Sequence, residues 1–482
     1  MDQIKKINEI MVDIFNVVMK LEERAVRESS IHDLSITELH TLDAIGLKQS
    51  KTMSQVAWSL NISISTLTTA INKLVKKGYV ERFRIPEDRR IVKIKLTEDG
   101  VAAAEEHEAF HDRMIREAIS ELDSDEVENF VSSIENISQF ISMQRYRPLR
   151  NKNDYCLKPV KLGCHDLKVP LFQGGMGIGV SMGGLAGAVA ACGGLGIVSA
   201  VEPGYEESDF GTDPLAANKR ALEREIKKAV HISEQAGSGG LVGVNVTASR
   251  DNYSEMVRTA LLAGARVIVS GGGLPLALPG ICENSDAALI PIVSSARAAR
   301  LIKRSWKKKH DRQPDAFIFE SSSAGGYLGY KESQLDSARD EFYRTILELR
   351  EEAGNVPLIA GGGIMSRKDA ARAFAYGADG IQLGSSFIVT DECDAADGFK
   401  EVYLNLREND VTIIKNPQGM PCRVINNDFV KNLRGELTAD EEKKALIRAV
   451  RGDAESGLFF CGSRVYKMKH AGKVADVFSI FT

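Results

Sequence analysis

The sequence predicts a multidomain protein: a helix-rich winged helix-turn-helix domain followed by an α/β (β/α)8 TIM barrel. Three observations predict it. The 482 residues exceed what one ordinary core organises. The early part of the chain sets two short helices and a strand-turn-strand behind one long amphipathic helix. From Val169 onward, strand-like and helix-like segments alternate, with glycines after nearly every strand. An open doubly wound sheet is the rival class; the even strand count and the glycine-rich strand ends, which suit a ring of ligand-facing loops, weigh against it.

Composition sets the outer bounds. With 43% hydrophobic and 27% charged residues the chain reads as an ordinary globular protein. No apolar run is long enough to span a bilayer, and Met1–Lys6 has no hydrophobic stretch behind its charges. The expectation is a cytoplasmic protein without a membrane partner. All seven cysteines (156, 164, 192, 282, 393, 422 and 461) follow Tyr155, and none forms a C-x-x-C pair. That spacing argues against a disulfide framework and a zinc site, and no metal is assigned. Residues 1–150 hold 21 basic and 25 acidic side chains, a net of −4, yet residues 73–95 hold nine basic and three acidic ones. A basic segment within an acidic domain points to a local anionic partner.

Along the first domain, residues 3–28 repeat apolar positions at helical spacing (Ile7, Ile10, Ile14, Val17, Leu21), suiting either a wall of the domain or a subunit contact. Ser35-Ile36-Thr37-Glu38 has the spacing of a capping box. Thr52–Leu60 reads as a short helix, and a further helix from Ser63 ends at Gly78. This last helix would present Ser63, Ser65, Thr66, Thr69 and Lys73 outward. Small hydroxyls and a lysine near a helix N-terminus suit base edges and phosphates in a major groove. Strands at 81–85 and 91–96 then flank a hairpin tip at 86–90, so Arg84, Asp88, Arg89 and Arg90 form an arginine-bearing wing. The run Ser63–Gly78, the wing Arg84–Arg90 and the closing Leu96-Thr97-Glu98-Asp99-Gly100 resemble the MarR family of bacterial transcription regulators. The resemblance spans residues 1–143, with C-terminal helices expected at 101–121 and 126–140. It implies a homodimer on a double-stranded DNA operator. A winged helix serving only protein contacts stays open.

Residues 144–159 are basic, proline-bounded and aperiodic, and read as a linker. The second domain, residues 160–482, offers strands at 169–173, 196–200, 241–246, 266–270, 288–293, 316–320, 356–360 and 380–383. Helices are expected at 184–192, 218–235, 253–263, 275–283, 296–309, 335–353 and 367–376. The first strand ends in Gln173-Gly174-Gly175-Met176, the third near Asn245, the sixth before Ala324-Gly325-Gly326. The seventh ends in Gly361-Gly362-Gly363 and the eighth in Gln382-Leu383-Gly384-Ser385. Glycine turns after the last two strands form the usual phosphate cradle of such a barrel, since no Cβ keeps backbone N–H groups from the anion. With a bare surface at the other strand ends, the cradle suggests a flavin mononucleotide, FMN. A sugar-phosphate lyase or isomerase is the alternative, but the strand ends lack the lysine, acid or metal cluster such enzymes need.

These motifs, together with Gly193–Gly196, Ser270–Pro275, Pro417–Pro421 and Gly457–Gly462, resemble the nitronate monooxygenase family, which includes the flavin-dependent enoyl-ACP reductase II. The resemblance implies an FMN-dependent oxidoreductase on a TIM barrel, with a small helical insertion near its end and NADH or NADPH as a possible electron donor. One position departs from the family. Its pattern Ala-Gly-Gly-His-x-Gly carries the general base, and here Tyr327 stands in place of that histidine. A phenol has a pKa of about 10 against about 6.5 for imidazole, so Tyr327 is a poor base for a neutral nitroalkane. Three readings follow: oxidation of nitronates, which are already anionic; reduction of an activated alkene with Tyr327 as acid; or a flavin- or ligand-sensing transcription factor with little turnover. Tyr327 acting only as a space-filler also stays open.

Overall fold

The computed structural model describes residues 2–28, 33–47, 50–53, 56–57, 60, 62, 64–85, 88–124, 126–127, 129–131, 133–134, 137 and 156–482. The chain divides into two compact units, Met1–Ile137 and Ser138–Thr482. Most of the expected linker, 144–159, lies outside the described residues, as do seven of the fifteen positions of the expected 126–140 helix; the other eight are helical.

In the first unit the elements run α1 (Asp2–Glu28), α2 (Ile36–Ile45), β1 (Lys51–Thr52), α3 (Ile64–Lys77), β2 (Val80–Ile85), β3 (Asp88–Leu96) and α4 (Glu98–Ala118). The capping box forms: Glu38 N–H donates to Ser35 Oγ at 3.3 Å and Ser35 N–H to Glu38 Oε2 at 2.9 Å. Leu39, Leu42 and Ile45 of α2, Leu67, Ile71 and Leu74 of α3, and Ile94 of β3 make a fully buried core. Two expectations change. The Thr52–Leu60 helix starts later, because Lys51 and Thr52 pair antiparallel with Ile94 and Lys93 as a third wing strand. The wing tip is narrower than 86–90: β3 begins at Asp88, which lies opposite Ile85. Asp88, Arg89 and Arg90 therefore sit on a strand, where backbone pairing outcompetes a wider loop. α4 starts at Glu98, where Thr97 Oγ1 accepts the Gly100 N–H at 3.1 Å.

In the second unit a hairpin, β4 (Val160–Leu162) and β5 (His165–Leu167), precedes a closed barrel. Its strands are β6 (Leu171–Gln173), β7 (Leu195–Ser199), β8 (Leu241–Thr247), β9 (Val267–Gly271), β10 (Ala288–Val293), β11 (Phe317–Glu320), β13 (Leu358–Gly361) and β14 (Gly380–Leu383). All neighbours are parallel, and β14 closes onto β6. The doubly wound alternative is thereby excluded. Side-chain parity follows the pleat. Phe172, Ile197, Val269, Ile290, Ile318 and Ile359 fill the interior with Leu162 and Leu167 of the hairpin, whereas Leu171, Val198, Ile268, Leu289, Phe317, Phe319 and Leu358 pack outward. The helix expected at 335–353 breaks into Leu335–Asp340 and Phe342–Ala353, and that at 275–283 shrinks to Leu278–Ile281.

The chain leaves the barrel after β11. Strand β12 (Gly326–Tyr327) pairs with β16 (Pro421–Ile425), which also pairs with β15 (Val411–Lys415). The helix Ala439–Val450 packs here, its Ala445 and Leu446 joining Cys422, Val424, Leu458 and Tyr327 in one apolar cluster. The expected helical insertion is thus a three-stranded sheet with helices, and the sheet is what holds Tyr327. Among the described residues no helix is long and apolar enough to cross a membrane.

Candidate functional site

A cavity of about 270 Å³ lies at the C-terminal ends of the barrel strands. Its floor follows from parity: Ser199, Asn245, Thr247, Ile292, Glu320 and Gln382 face inward at or near the C-terminal ends of their strands, and each lines it. Gly174, Gly175, Met176, Ala324, Gly325, Gly326, Tyr327, Gly362, Gly363, Gly384 and Ser385 line the same space. Segments far apart in sequence therefore converge as the glycine turns suggested.

Two expected residues are displaced. Gln173 is fully buried and faces outward, one position beyond inward-facing Phe172. Its Nε2 donates to Ser181 Oγ at 2.7 Å and to the Ile197 carbonyl at 3.0 Å, while its Oε1 accepts the Ile197 N–H at 3.1 Å. It braces the Gly174–Met176 turn from behind, with Ser181 Oγ accepting the Met176 N–H at 3.0 Å. Gly361 is covered by Gln382, whose Cβ would lie 3.3 Å from a Cβ at Gly361.

The other turns need their glycines for stated reasons. A Cβ on Gly175 would lie 2.4 Å from the Asn245 Cβ, and one on Gly325 would lie 2.6 Å from the Cys461 backbone. Gly362 has φ +89°, and its Cβ would meet Ser321 Oγ at 2.5 Å. Gly384 is different: the nearest atom to its Cβ would be Met176 Sδ, 3.7 Å away, so packing within the protein does not demand a glycine there. Buried Arg423 holds the loop before Gly325, its Nη1 donating to the Ser322 and Ala324 carbonyls at 2.5 Å each.

Tyr327 sits half-buried on β12, opposite Cys422, with its ring 5.4 Å from that of Phe460. Its hydroxyl donates to Glu442 Oε2 at 2.9 Å. Glu442, 6% exposed, leaves its Oε1 without a hydrogen-bond partner. Burial first, then the neighbouring Glu442 charge, pushes the Tyr327 phenol well above its ordinary value. Burial likewise raises the Glu442 carboxyl, against the Tyr327 hydrogen bond and the Arg250 charge, which lower it. Glu320, desolvated on the cavity floor, is pushed up to about 7.

Glu320, Glu442 and Arg464 were not singled out in the sequence. Glu320 was legible from its parity with Ile318. Glu442 lies 115 residues beyond Tyr327, and no local pattern links them. Arg464 lines the cavity beside Gly363, whose carbonyl its Nη1 meets at 2.8 Å, and it also pairs with Asp369 at 3.1 Å. Of the cysteines, Cys282, Cys393, Cys422 and Cys461 are buried, and desolvation pushes Cys461 up to about 12, which disfavours the thiolate beside the cavity. His165 is half-buried, and His231, His310 and His470 are exposed; none lines the cavity.

On the first unit, Ser65, Thr66, Thr69 and Lys73 are exposed along α3. Thr69 Oγ1 donates to the Ser65 carbonyl at 3.2 Å. Ser63 lies outside the described residues. Arg84 is on β2 and Asp88, Arg89 and Arg90 are on β3, with side chains outside the described set.

The family model "Nitronate monooxygenase" matches residues 158–481, and the model "MarR family" matches residues 34–92. One relative is the (3aS,4S,5R,7aS)-5-hydroxy-7a-methyl-1-oxo-octahydro-1H-indene-4-carboxyl-CoA dehydrogenase of Rhodococcus jostii, 27% identical over 289 residues, covering 59% of this chain and 71% of that protein. A probable nitronate monooxygenase of Staphylococcus saprophyticus is 26% identical over 144 residues, covering 29% of this chain and 41% of the relative. Among solved structures, FabK from Thermotoga maritima superposes with a TM-score of 0.51 at 23% identity, covering 65% of this chain and 91% of its own. The nitroalkane oxidase of Streptomyces ansochromogenes gives 0.53 at 20% identity, covering 66% and 95%. Both structural likenesses speak for the barrel fold.

Proposed function

We propose, from the premise that the chain belongs to the nitronate monooxygenase family and carries a MarR-family domain, that it is an FMN-dependent oxidoreductase joined to an operator-binding regulator. The observation that carries the enzyme reading is the convergence of bare-backbone turns and one acidic floor residue on a single cavity at the strand ends. The residues present fit the cofactor. Gly362, Gly363, Gly384 and Ser385 would hold the phosphate, with Arg464 supplying positive charge beside them. Gly174, Gly175 and Met176 would lie along the ring, and Asn245 would bond its polar edge. When bound, FMN supplies hydride or electron transfer.

The chain's own residues supply binding and proton handling. Tyr327 is not a base, because burial and Glu442 both disfavour its phenolate. With Glu442 ionised, the phenol hydrogen is committed to that carboxylate. With Glu442 protonated, the carboxyl donates to the phenol oxygen and the phenol hydrogen turns toward the cavity. Tyr327 then stabilises an anion there, or passes it a proton while taking one from Glu442. This suits nitronates, which need no base, and activated alkenes, which need an acid after hydride transfer. NADH or NADPH is the electron donor the second reaction requires.

The first unit would bind a double-stranded DNA operator through the exposed Ser65, Thr66, Thr69 and Lys73, with the wing arginines alongside. It would do so as a homodimer. Ile7, Ile10, Ile14, Val17 and Leu21 of α1 are 43–57% exposed, an apolar face suited to a second subunit.

The deciding experiment is the absorption spectrum of the purified full chain, followed by anaerobic reduction with each nicotinamide nucleotide and by O2 uptake with a nitronate. A yellow protein releasing FMN and turning over either substrate is expected. A colourless protein that takes up no FMN would sink the proposal. A yellow protein without turnover would favour the second reading, a ligand-sensing transcription factor, for which the lock between Tyr327 and Glu442 argues.

A further inference from the structure

Within the first unit, three helices bring four metal-ligating side chains together. Glu22 comes from α1, His40 from α2, and His107 and His111 from one face of α4. Glu22 Oε1 lies 3.2 Å from His111 Nε2, and Glu22 Oε2 lies 3.7 Å from His40 Nε2. One ligand atom each from Glu22, His107 and His111 fall within 4.8 Å of one another. The ring centroids of His107 lie 4.7 Å from His111 and 5.6 Å from His40.

A network of ion pairs leaves two facts unexplained. Glu22 and His107 are each only 4% exposed, yet Glu22 Oε2 and His107 Nε2 are buried without a hydrogen-bond partner. Buried polar atoms of a folded protein are ordinarily satisfied, and an orphaned carboxylate oxygen near an orphaned imidazole nitrogen calls for a shared occupant. The second fact is the other side of the His107 ring. Its Nδ1 lies 2.8 Å from Asp43 Oδ2, which keeps the proton on Nδ1 and the lone pair on Nε2. A carboxylate behind the ring is the usual support of a metal-bound histidine, fixing its tautomer and raising its basicity.

We propose that Glu22, His107 and His111, with His40 as fourth ligand, form a binding site for a divalent first-row transition ion of the Zn2+ type. Three imidazoles and one carboxylate suit such an ion and not Ca2+ or Mg2+, which take all-oxygen shells. Tetrahedral ligands about 2.05 Å from zinc lie about 3.3 Å apart. The Glu22–His111 pair already has that spacing, and rotation of the other side chains closes the rest. The ion ties α1, α2 and α4 together and, by binding only the folded unit, stabilises it. The cysteine spacing that argued against zinc carries no information about this site, which uses no cysteine.

The test uses the full chain stripped with chelator, titrated with Zn2+ by calorimetry and with Co2+ by visible absorption. A second group, Cys164, His165 and Asp286, also has ligand spacing and must be separated. The expected result is a Co2+ spectrum with four-coordinate d–d bands, a rise in the first unit's melting temperature, and retention of both in Cys164→Ser. Asp43→Asn should weaken Zn2+ binding about 10–100-fold. His111→Gln, at a half-exposed ring, should abolish it while melting like the metal-free wild type. The proposal is overturned if the wild-type chain binds neither ion. It is equally overturned if His111→Gln, with an unchanged metal-free melt, binds as tightly as wild type, or if Cys164→Ser removes the binding.

Discussion

Tyr327 donates its phenol hydrogen to Glu442, and that direction governs what the side chain offers a ligand. In Tyr327→Phe the buried Glu442 carboxyl loses its donor while Oε1 is already unpartnered, so the variant should be destabilised by about 1–3 kcal/mol. Turnover with an alkene acceptor should fall about 100-fold or more if the phenol is the acid. Unchanged turnover would remove that role. Tyr327→His restores a group titrating near 6.5 and should create oxidation of neutral nitroalkanes, read by O2 uptake. Glu320 makes a separate pH prediction. Its folded-state pKa, about 7, lies above the ordinary carboxyl value of 4.5, so between these values the folded chain keeps a proton that the unfolded chain has lost. Its contribution to stability is therefore present below about 4.5 and is lost as pH rises through about 7. Thermal melts across that window should show a smaller decline in Glu320→Gln than in wild type, the remainder including the contribution of the Glu442 carboxyl, which burial also raises. Residue by residue, the sequence exposed the ligand-facing backbone better than the titrating groups. The glycines announce themselves because only they fit, as at Gly175 against Asn245. Glu320 ends the strand expected at 316–320, and its parity with Ile318 puts it on the cavity floor only once the barrel closes, whereas Glu442 owes its place to a packing contact between distant segments.

At the scale of elements, strands and helices were legible because their periods differ, and the errors fall where tertiary pairing overrides local preference. Lys51–Thr52 joins the wing as a strand, and Gln173 is turned away from the cavity by its place at the end of β6. The glycine turns can be probed as a pair. Gly362→Ala forces a side chain into φ +89° and against Ser321 Oγ at 2.5 Å, so both the turn and FMN retention should suffer. Gly384→Ala meets no atom closer than Met176 Sδ at 3.7 Å, so folding should be spared while FMN affinity, measured by fluorescence quenching, still falls. Equal FMN affinity in Gly384→Ala and wild type would remove Gly384 from the phosphate cradle. On α3, Lys73 is exposed among hydroxyl side chains. Lys73→Ala should weaken operator and non-operator DNA alike and reduce the slope of log affinity against log salt by about 1. A loss confined to one operator sequence would instead assign Lys73 to base readout.

For the whole molecule, one chain carries a MarR-family unit and a barrel of the nitronate monooxygenase family, and the fusion fixes their stoichiometry at one to one. Covalent linkage alone does not couple them: a ligand shifts an equilibrium only as far as it binds one state better than another. Coupling in this chain requires that the flavin's redox state or a bound substrate change the separation of two α3 helices in a dimer, since that separation must match the operator half-sites. Linkage makes the effect reciprocal, so DNA must shift the flavin's reduction potential if reduction shifts DNA affinity. The measurement is operator affinity with oxidised FMN, reduced FMN and flavin-free protein, paired with the flavin potential with and without operator. A tenfold change in affinity between oxidised and two-electron-reduced protein must appear as a potential shift of about 30 mV on saturating DNA. Affinities equal in all three forms, with an unmoved potential, would leave the two units as independent activities on one polypeptide.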